Sequence, residues 1–272
     1  AGVIAAIANE DNKASLTLDI AGTLNNAGGF IQTTDGLNIA VQTLVNDGGN
    51  ILTGAKTRPS DEEESGEGEE EAVAAEGGDI PEPVTFFANG VWRIDAQSIS
   101  NAGGYIQKNG EGALTLTTDT LNNTDAGVIS ALDLLQLNVK DTNNTTGVLT
   151  GGAVSIDGAN LINTAGAVQG DAIAINLTQD LLNTSIPNPD TSEGQPQTLA
   201  GVISAIVEKG VGTLSLLVAG LFNNNGGVVQ SNDDFITLSD TPNDSDSPSV
   251  GSGKFTNVDG QVIHLGTGTL QI

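Results

Sequence analysis

The feature that most constrains this chain is a degenerate repeat of about 20 residues that recurs along its length. Each full copy reads apolar-x-apolar, four residues, apolar-x-Asn, a short polar step and then Gly-x-apolar. A single short unit of this kind cannot bury its own apolar face, so the units must stack on one another. Five clear copies occupy Leu37, Ile39, Leu44, Asn46, Gly49 and Ile51; Trp92, Ile94, Ile99, Asn101, Gly104 and Ile106; Leu114, Leu116, Leu121, Asn123, Gly127 and Ile129; Val154, Ile156, Leu161, Asn163, Gly166 and Val168; and Leu214, Leu216, Leu221, Asn223, Gly227 and Val229.

Within a copy, the apolar residues alternate with polar ones, as in Leu114-Thr115-Leu116. A period of two indicates β-strands and argues against a helical repeat. Ile31 and Ile51 are 20 residues apart, a length that accommodates three short strands joined by tight turns. We therefore predict an all-β fold, a right-handed parallel β-helix (solenoid) of roughly ten coils with about 20 residues per coil and three protruding loops. The handedness follows the general rule for parallel crossovers.

The Asn of each copy predicts a structural column at one corner of the stack. Asn tolerates left-handed backbone angles, and its amide can bond the equivalent Asn one coil above and below. The alternative is ordinary turn chemistry in a glycine-rich β protein. A weak copy ending in Gly147 and Leu149 leaves the choice between Asn143 and Asn144 open. The predicted column comprises Asn26, Asn46, Asn101, Asn123, Asn163, Asn183, Asn223 and Asn257.

Three segments interrupt the repeat, and the pattern resumes after each of them. Residues 54–85 are rich in Glu, residues 184–198 contain three prolines, and residues 239–253 are rich in Asp, Ser and Pro. We predict a single β-helix segment over 1–272 with these three insertions as outward loops. Loops on a rigid scaffold commonly carry binding, although acidic loops are often only solvated.

Charge limits the partners. The formal net charge is −26, from 34 acidic and 8 basic residues, which argues against nucleic acid as a partner because phosphate binding needs clustered Lys and Arg.

No cofactor is predicted, apart from calcium held by the hard carboxylate oxygens of the C-terminal region. The candidate ligands are Asp233, Asp234, Asp240, Asp244 and Asp246. Because the repeat shows no polar cap at either end, we also expect end-to-end or lateral self-association.

We predict that the chain is not an enzyme. Only two arginines are present, Arg58 and Arg93, and His264 is the sole histidine. There is no cysteine, so disulfides and thiol chemistry are excluded. A carbohydrate-active β-helix enzyme remains an alternative, with the adjacent acids Asp233 and Asp234 as its paired carboxylates.

The motif Leu24-Asn25-Asn26-Ala27-Gly28-Gly29-Phe30-Ile31, repeated as Ile99-Ser100-Asn101-Ala102-Gly103-Gly104-Tyr105-Ile106, resembles the repeats of filamentous haemagglutinins. Those repeats form the shafts of two-partner secretion exoproteins, which include adhesins and contact-dependent inhibition effectors. The resemblance implies export through a partner barrel in the outer membrane and a secreted or cell-surface location on a Gram-negative bacterium. It implies a structural shaft that carries a binding or effector region for cell adhesion or biofilm. The alternative is direct binding of a host or bacterial surface glycan or protein through the outer face or the loops.

Overall fold

The computed structural model describes residues 2–7, 13–53, 55–56, 84–85, 90–190, 192, 196–207, 212–232, 235–239, 254–266 and 269–271. Within these ranges the chain forms strands and turns and contains no helix, which confirms the all-β class. It follows that these ranges hold no helix long and apolar enough to cross a membrane.

The strands are β1 (Val3–Ala6), β2 (Leu16–Asn25), β3 (Phe30–Thr33), β4 (Leu37–Val45), β5 (Asn50–Thr53), β6 (Ala55–Lys56), β7 (Val84–Thr85), β8 (Trp92–Asp95), β9 (Ser98–Ser100), β10 (Tyr105–Lys108), β11 (Ala113–Asn122), β12 (Val128–Asn143), β13 (Val148–Ile162), β14 (Ala167–Leu177), β15 (Leu181–Leu182), β16 (Ile186–Pro187), β17 (Thr198–Leu199), β18 (Val202–Ala205), β19 (Thr213–Val218), β20 (Leu221–Asn223), β21 (Val228–Ser231), β22 (Phe235–Ser239), β23 (Lys254–Thr256), β24 (Gln261–His264) and β25 (Thr269–Gln271). Most strands are short, and the six longer ones, β2, β4, β11, β12, β13 and β14, each pass through more than one series of paired segments.

Strands related by the repeat pair with one another in parallel, within a single 21-stranded sheet. Three series of paired segments result. The first series contains β1, β3, β5, β10, the starts of β12, β13 and β14, then β18, β21 and β24. The second contains the starts of β2, β4 and β11, with β8, the middle of β12 and β13, the end of β14, then β19, β22 and β25. The third contains the ends of β2, β4, β11, β12 and β13, with β9, β15, β20 and β23. We call three consecutive segments, one from each series, a tier.

The pairing register superimposes the repeat on itself. Ile106 pairs with Ile129, Ile129 with Leu149, and Leu149 with Val168. Register matters because a slip by one residue would move every apolar side chain to the opposite face of the strand. The observed register instead places one aliphatic residue above another from tier to tier.

The core is a continuous aliphatic column. In β10 the burial alternates, with Ile106 fully buried between Tyr105 and Gln107, which face outward. Fully burying an Ile or Leu side chain stabilises a fold by about 1.5–3 kcal/mol relative to leaving it exposed. Trp92 is the one tryptophan of the chain and is fully buried, and its indole Nε1 donates a hydrogen bond to the carbonyl oxygen of Asp35 at 2.6 Å.

The three predicted insertions are described to different extents. In the first, β6 and β7 lie near the two limits of 54–85 and pair antiparallel, Ala55 with Thr85, and the residues between them lie outside the described ranges. In the second, β16 and β17 pair antiparallel, Ile186 with Leu199, so a short hairpin stem forms part of the predicted loop 184–198. Of the third, 239–253, only Ser239 is described. The division into one segment with three loops stays a prediction.

Candidate functional site

A ladder of asparagine side chains is the most regular polar feature of the molecule. Each Nδ2 donates to the Oδ1 of the Asn in the next tier, at distances of 2.7–2.8 Å. All of these side chains are buried except the last. The ladder runs through Asn26, Asn46, Asn101, Asn123, Asn144, Asn163, Asn183, Asn224 and Asn257.

Each amide in the ladder also satisfies backbone carbonyls. The Nδ2 of Asn144 donates to Asn163 at 2.8 Å, to the carbonyl oxygen of Gly147 at 3.2 Å and to that of Ala167 in the next tier at 3.1 Å. A buried polar group without a partner costs about 1–3 kcal/mol, so the ladder removes a penalty that would otherwise recur in every tier. Its chemistry is structural, because the donors and acceptors are used within the column.

The structure corrects one predicted column residue and supplies one that was left open. Asn223 lies beside the ladder, where its Oδ1 accepts from the backbone N–H of Asn225 at 3.0 Å, and Asn224 occupies the column. The reason is that Phe222, rather than Leu221, is buried and pairs in register with the buried Leu181 and with Phe255, which moves the following residues by one position.

A second open choice is settled in the same way, in favour of Asn144 over Asn143. The spacing to the following glycine carries the missing signal. Gly227 is the third residue after Asn224, and Gly147 is the third after Asn144, as in most copies of the repeat. Asn223 was predicted instead because it lies two residues after the apolar Leu221.

The turn after each Asn brings adjacent tiers into close contact. The backbone N–H of Gly147 donates to the carbonyl oxygen of Asn144 at 3.1 Å, and Thr146 between them has a φ of 58°, the left-handed conformation expected at the third position of a type II turn. A Cβ on Gly147 would lie 2.0 Å from the carbonyl oxygen of Asn123 in the preceding tier. The glycine is therefore required by the distance between tiers.

A buried lysine lies at the C-terminal end of a first-series segment, β10, on the side away from the Asn ladder. Lys108 is 1% exposed, and its Nζ donates to the carbonyl oxygens of Gly110, at 3.0 Å, and Glu111. Other tiers place small residues at this position, such as Ala131 and Gly151. Desolvation by burial lowers the pKa of Lys108, and the charges of Asp133, Asp35 and Glu111 oppose that effect.

No family model, curated protein or solved structure matches this chain.

The metal prediction is not tested by the geometry. Asp233, Asp234, Asp240, Asp244 and Asp246 all lie outside the described residues. Within the ranges that the structure describes, no three acidic or histidine side chains come together in a group that could hold a metal ion.

Of the residues considered for catalysis, the structure describes Arg93 and His264, which lie on β8 and β24. Arg93 faces outward from β8 and donates through Nε to Asp95 at 2.5 Å, and this hydrogen bond raises the pKa of Arg93. His264 ends β24, where it pairs in register with Ser231. Arg58 and the acid pair Asp233 and Asp234 are outside the described ranges.

A shallow groove of about 350 Å³ runs across the outer face of the second series. It spans four tiers, from β12 to β19, and combines apolar side chains with three hydroxyl groups. Its lining residues are Leu134, Ala153, Val154, Ser155, Ala172, Ile173, Ala174, Thr213, Leu214 and Ser215. Grooves of this volume lie in the size range of small-ligand sites.

Proposed function

We propose that the chain is a right-handed parallel β-helix that serves as the structural shaft of a secreted bacterial surface adhesin. The shaft projects a binding or effector region for cell adhesion or biofilm. The observation that carries the proposal is the Asn ladder, which continues through nine tiers from Asn26 to Asn257.

The strand pairing supports the proposal that the chain is a parallel β-helix. Tyr105 pairs with Asn50 on one side and with Val128 on the other, both in parallel, so the first series continues in both directions from β10. A chain that returns to the same column every 20 or so residues completes one coil per tier. A parallel connection of this type is right-handed in nearly all known cases.

The expected stiffness of the stacked tiers supports the proposal that the chain is a shaft. Ten segments in the first series, about 4.8 Å apart, extend over roughly 45 Å. Backbone hydrogen bonds, the aliphatic core and the Asn ladder all link one tier to the next. Bending would have to stretch all three along one side, which suits a spacer that holds another region at a distance.

The family-level part of the proposal rests on the resemblance to filamentous haemagglutinin repeats. It includes a Gram-negative cell surface as the location and an outer-membrane barrel as the export partner. Two tier turns carry the resembling motif, Asn26 to Gly29 and Asn101 to Gly104, and both occupy equivalent places in the ladder.

Electron microscopy of the natural full-length protein tests the shaft. We expect a thin fibre whose length grows with the number of repeats, and a compact particle would contradict the proposal. Deletion of residues 58–82 provides a second test. If the chain is only a spacer, the protein should bind cells or glycans equally well with and without that segment. Release of product from acidic polysaccharides by the purified chain would instead support the enzyme alternative.

The outer groove favours direct glycan binding as a second candidate function. Its apolar floor and its hydroxyls at Ser155, Thr213 and Ser215 suit the faces and edges of an uncharged sugar. Ala174→Trp would fill the groove, and Thr115→Trp, at an equivalent outward position nearer the N-terminus, is the matched control. Loss of glycan binding in the first variant alone would support this function, and equal binding by both would exclude the groove.

A further inference from the structure

The outward face of the first series carries no charged residue. Each four-residue segment presents its first and third side chains to the outside, as the burial of β3 and β10 shows. Ten segments give twenty such positions, where a chain that is 15% charged would place about three charged residues by chance. The first positions are Val3, Phe30, Asn50, Tyr105, Val128, Val148, Ala167, Val202, Val228 and Gln261, and the third positions are Ala5, Gln32, Leu52, Gln107, Ser130, Thr150, Gln169, Ser204, Gln230 and Ile263. We call these twenty positions the neutral face.

The other two series differ from the neutral face in charge. Asp19, Asp95 and Asp157 point outward from the second series, and Asp141 points outward from the third. In a chain with a net charge of −26, most contacts between two copies would bring like charges together, which costs free energy. The neutral face avoids that cost within its own area.

The first positions of the neutral face form an apolar stripe. Seven of the ten carry Val, Ala or Phe, and Tyr105 adds a second aromatic ring; Phe30 and Tyr105 are 38% and 43% exposed. The neighbouring third positions supply mainly amides and hydroxyls. A contiguous apolar stripe beside uncharged polar groups is typical of a protein interaction surface.

We propose that the neutral face is the surface through which two copies of this chain pair side by side. A second copy has the same spacing of about 4.8 Å between tiers, so the side chains of both stripes keep step along the whole contact. A partner with another spacing would lose that register after a few tiers. Two copies related by a two-fold axis would present the same face to each other, which is the commonest arrangement of homodimers.

The area of the neutral face suits a weak but specific dimer. About 45 Å of stacked tiers and about 13 Å of strand give roughly 600 Å² per copy. The total of about 1,200 Å² lies at the lower limit of specific interfaces. Acidic groups at the two corners of the first series, such as Asp47, Asp125, Asp133 and Asp171, border this area and add to the repulsion between copies. Since salt screens exposed charges, the dimer should become tighter as salt increases.

Analytical ultracentrifugation of the chain over a range of concentrations tests the pairing. We expect a monomer–dimer equilibrium whose dissociation constant decreases as the salt concentration is raised from about 50 mM to about 500 mM. Val148→Asp, at the centre of the face, should weaken the dimer at least about tenfold, because it places like charges in the interface. The isosteric Gln169→Glu should weaken it less. Thr115→Asp, which faces outward from the second series and lies outside the groove, should leave the dissociation constant within about twofold.

Retained burial of Trp92 in each variant separates loss of pairing from loss of folding. A chain that stays monomeric at about 100 μM in high salt would overturn the proposal, because an apolar interface of this size should be populated there. Equal weakening by Val148→Asp and Thr115→Asp would also overturn it. So would a monomer that binds a neutral glycan and loses that binding only with Val148→Asp, because the face would then belong to a sugar. This test does not depend on the shaft function, which concerns the length of the full protein.

Discussion

Asn46 and Asn101 are 55 residues apart in the sequence, yet the Nδ2 of Asn46 donates a hydrogen bond to the Oδ1 of Asn101 at 2.7 Å. The predicted acidic insertion, residues 54–85, lies between them in the chain. The same contact joins Asn101 to Asn123, which are only 22 residues apart. The long insertion therefore leaves the geometry of the corner unchanged, and the ladder provides a direct measure of how well adjacent tiers stay in register.

Removal of one amide from the middle of the ladder should destabilise the fold. Asn144→Ala removes the hydrogen bonds to Asn123 and Asn163. The buried Oδ1 of Asn163 loses its donor in the ladder, while the Nδ2 of Asn123 keeps its bond to the carbonyl oxygen of Val148. At about 1–3 kcal/mol for the unsatisfied oxygen and about 1 kcal/mol for the other lost hydrogen bond, we expect a loss of about 2–4 kcal/mol in the free energy of unfolding by urea. Asn138→Ala, an outward position in the same tier, is the control and should change it by less than about 0.5 kcal/mol. Equal effects of the two substitutions would contradict a structural role for the ladder.

Three Gly→Ala substitutions should separate steric contact from backbone conformation. Gly22 has open space around the added Cβ and no positive φ, so its substitution should be nearly neutral. Gly28 has open space but a φ of +62°, and the left-handed conformation should cost about 1–2 kcal/mol. At Gly147 the Cβ would overlap the carbonyl oxygen of Asn123, which requires the tiers to separate and should cost more than about 3 kcal/mol. Thermal melts would give this order, and a tolerant Gly147 would show that the tiers are not in close contact.

Trp92 offers an intrinsic probe of the core. It is fully buried between Leu37 and Leu114, so its fluorescence should resist acrylamide quenching until the tiers separate. Trp92→Ala should reduce the free energy of unfolding by about 3–5 kcal/mol, the usual cost of a large core cavity. Trp92→Phe should cost less, since only part of the volume and the hydrogen bond to Asp35 are lost. Ready quenching in the native protein would contradict this placement.

Lys108 should make stability depend on pH in the alkaline range. Burial lowers its pKa below the ordinary value of 10.5, so between the lowered pKa and 10.5 the unfolded chain binds more protons than the folded one. Stability contributed by this group therefore rises with pH across that window and is constant below it. We expect the difference in free energy of unfolding between the native chain and Lys108→Met to shift in favour of the native chain as the pH rises through that window. Parallel pH profiles would show that Lys108 keeps its ordinary pKa.

The sequence predicted the features that repeat and missed those that occur once. Alternation around Ile106 and the Asn-to-Gly spacing around Asn101 recur often enough to reveal strands and a common corner. The position of Asn224 was missed because three consecutive asparagines match the apolar-x-Asn pattern in more than one way; the spacing to Gly227 favours Asn224, and the burial of Phe222 agrees with it.

Lys108 could not have been foreseen in the core, because lysine is rarely buried and this position is small in neighbouring tiers. The backbone carbonyls of Gly110 and Glu111 that receive its Nζ become visible only in the folded turn. The neutral face was also hidden in the sequence. Its members are about 20 residues apart, and they form one surface only after the strands pair.

Disulfide trapping across the acidic insertion tests the stacked register most directly, because the chain has no cysteine of its own. Leu52 and Gln107 pair in register and both face outward, so Leu52→Cys with Gln107→Cys should form an intramolecular disulfide on mild oxidation. Leu52→Cys with Ser130→Cys spans two tiers, about 9.6 Å, which is too far for a disulfide. We predict rapid trapping of the first pair and none of the second. Equal trapping of both pairs, or of neither, would contradict the parallel stack on which this account depends.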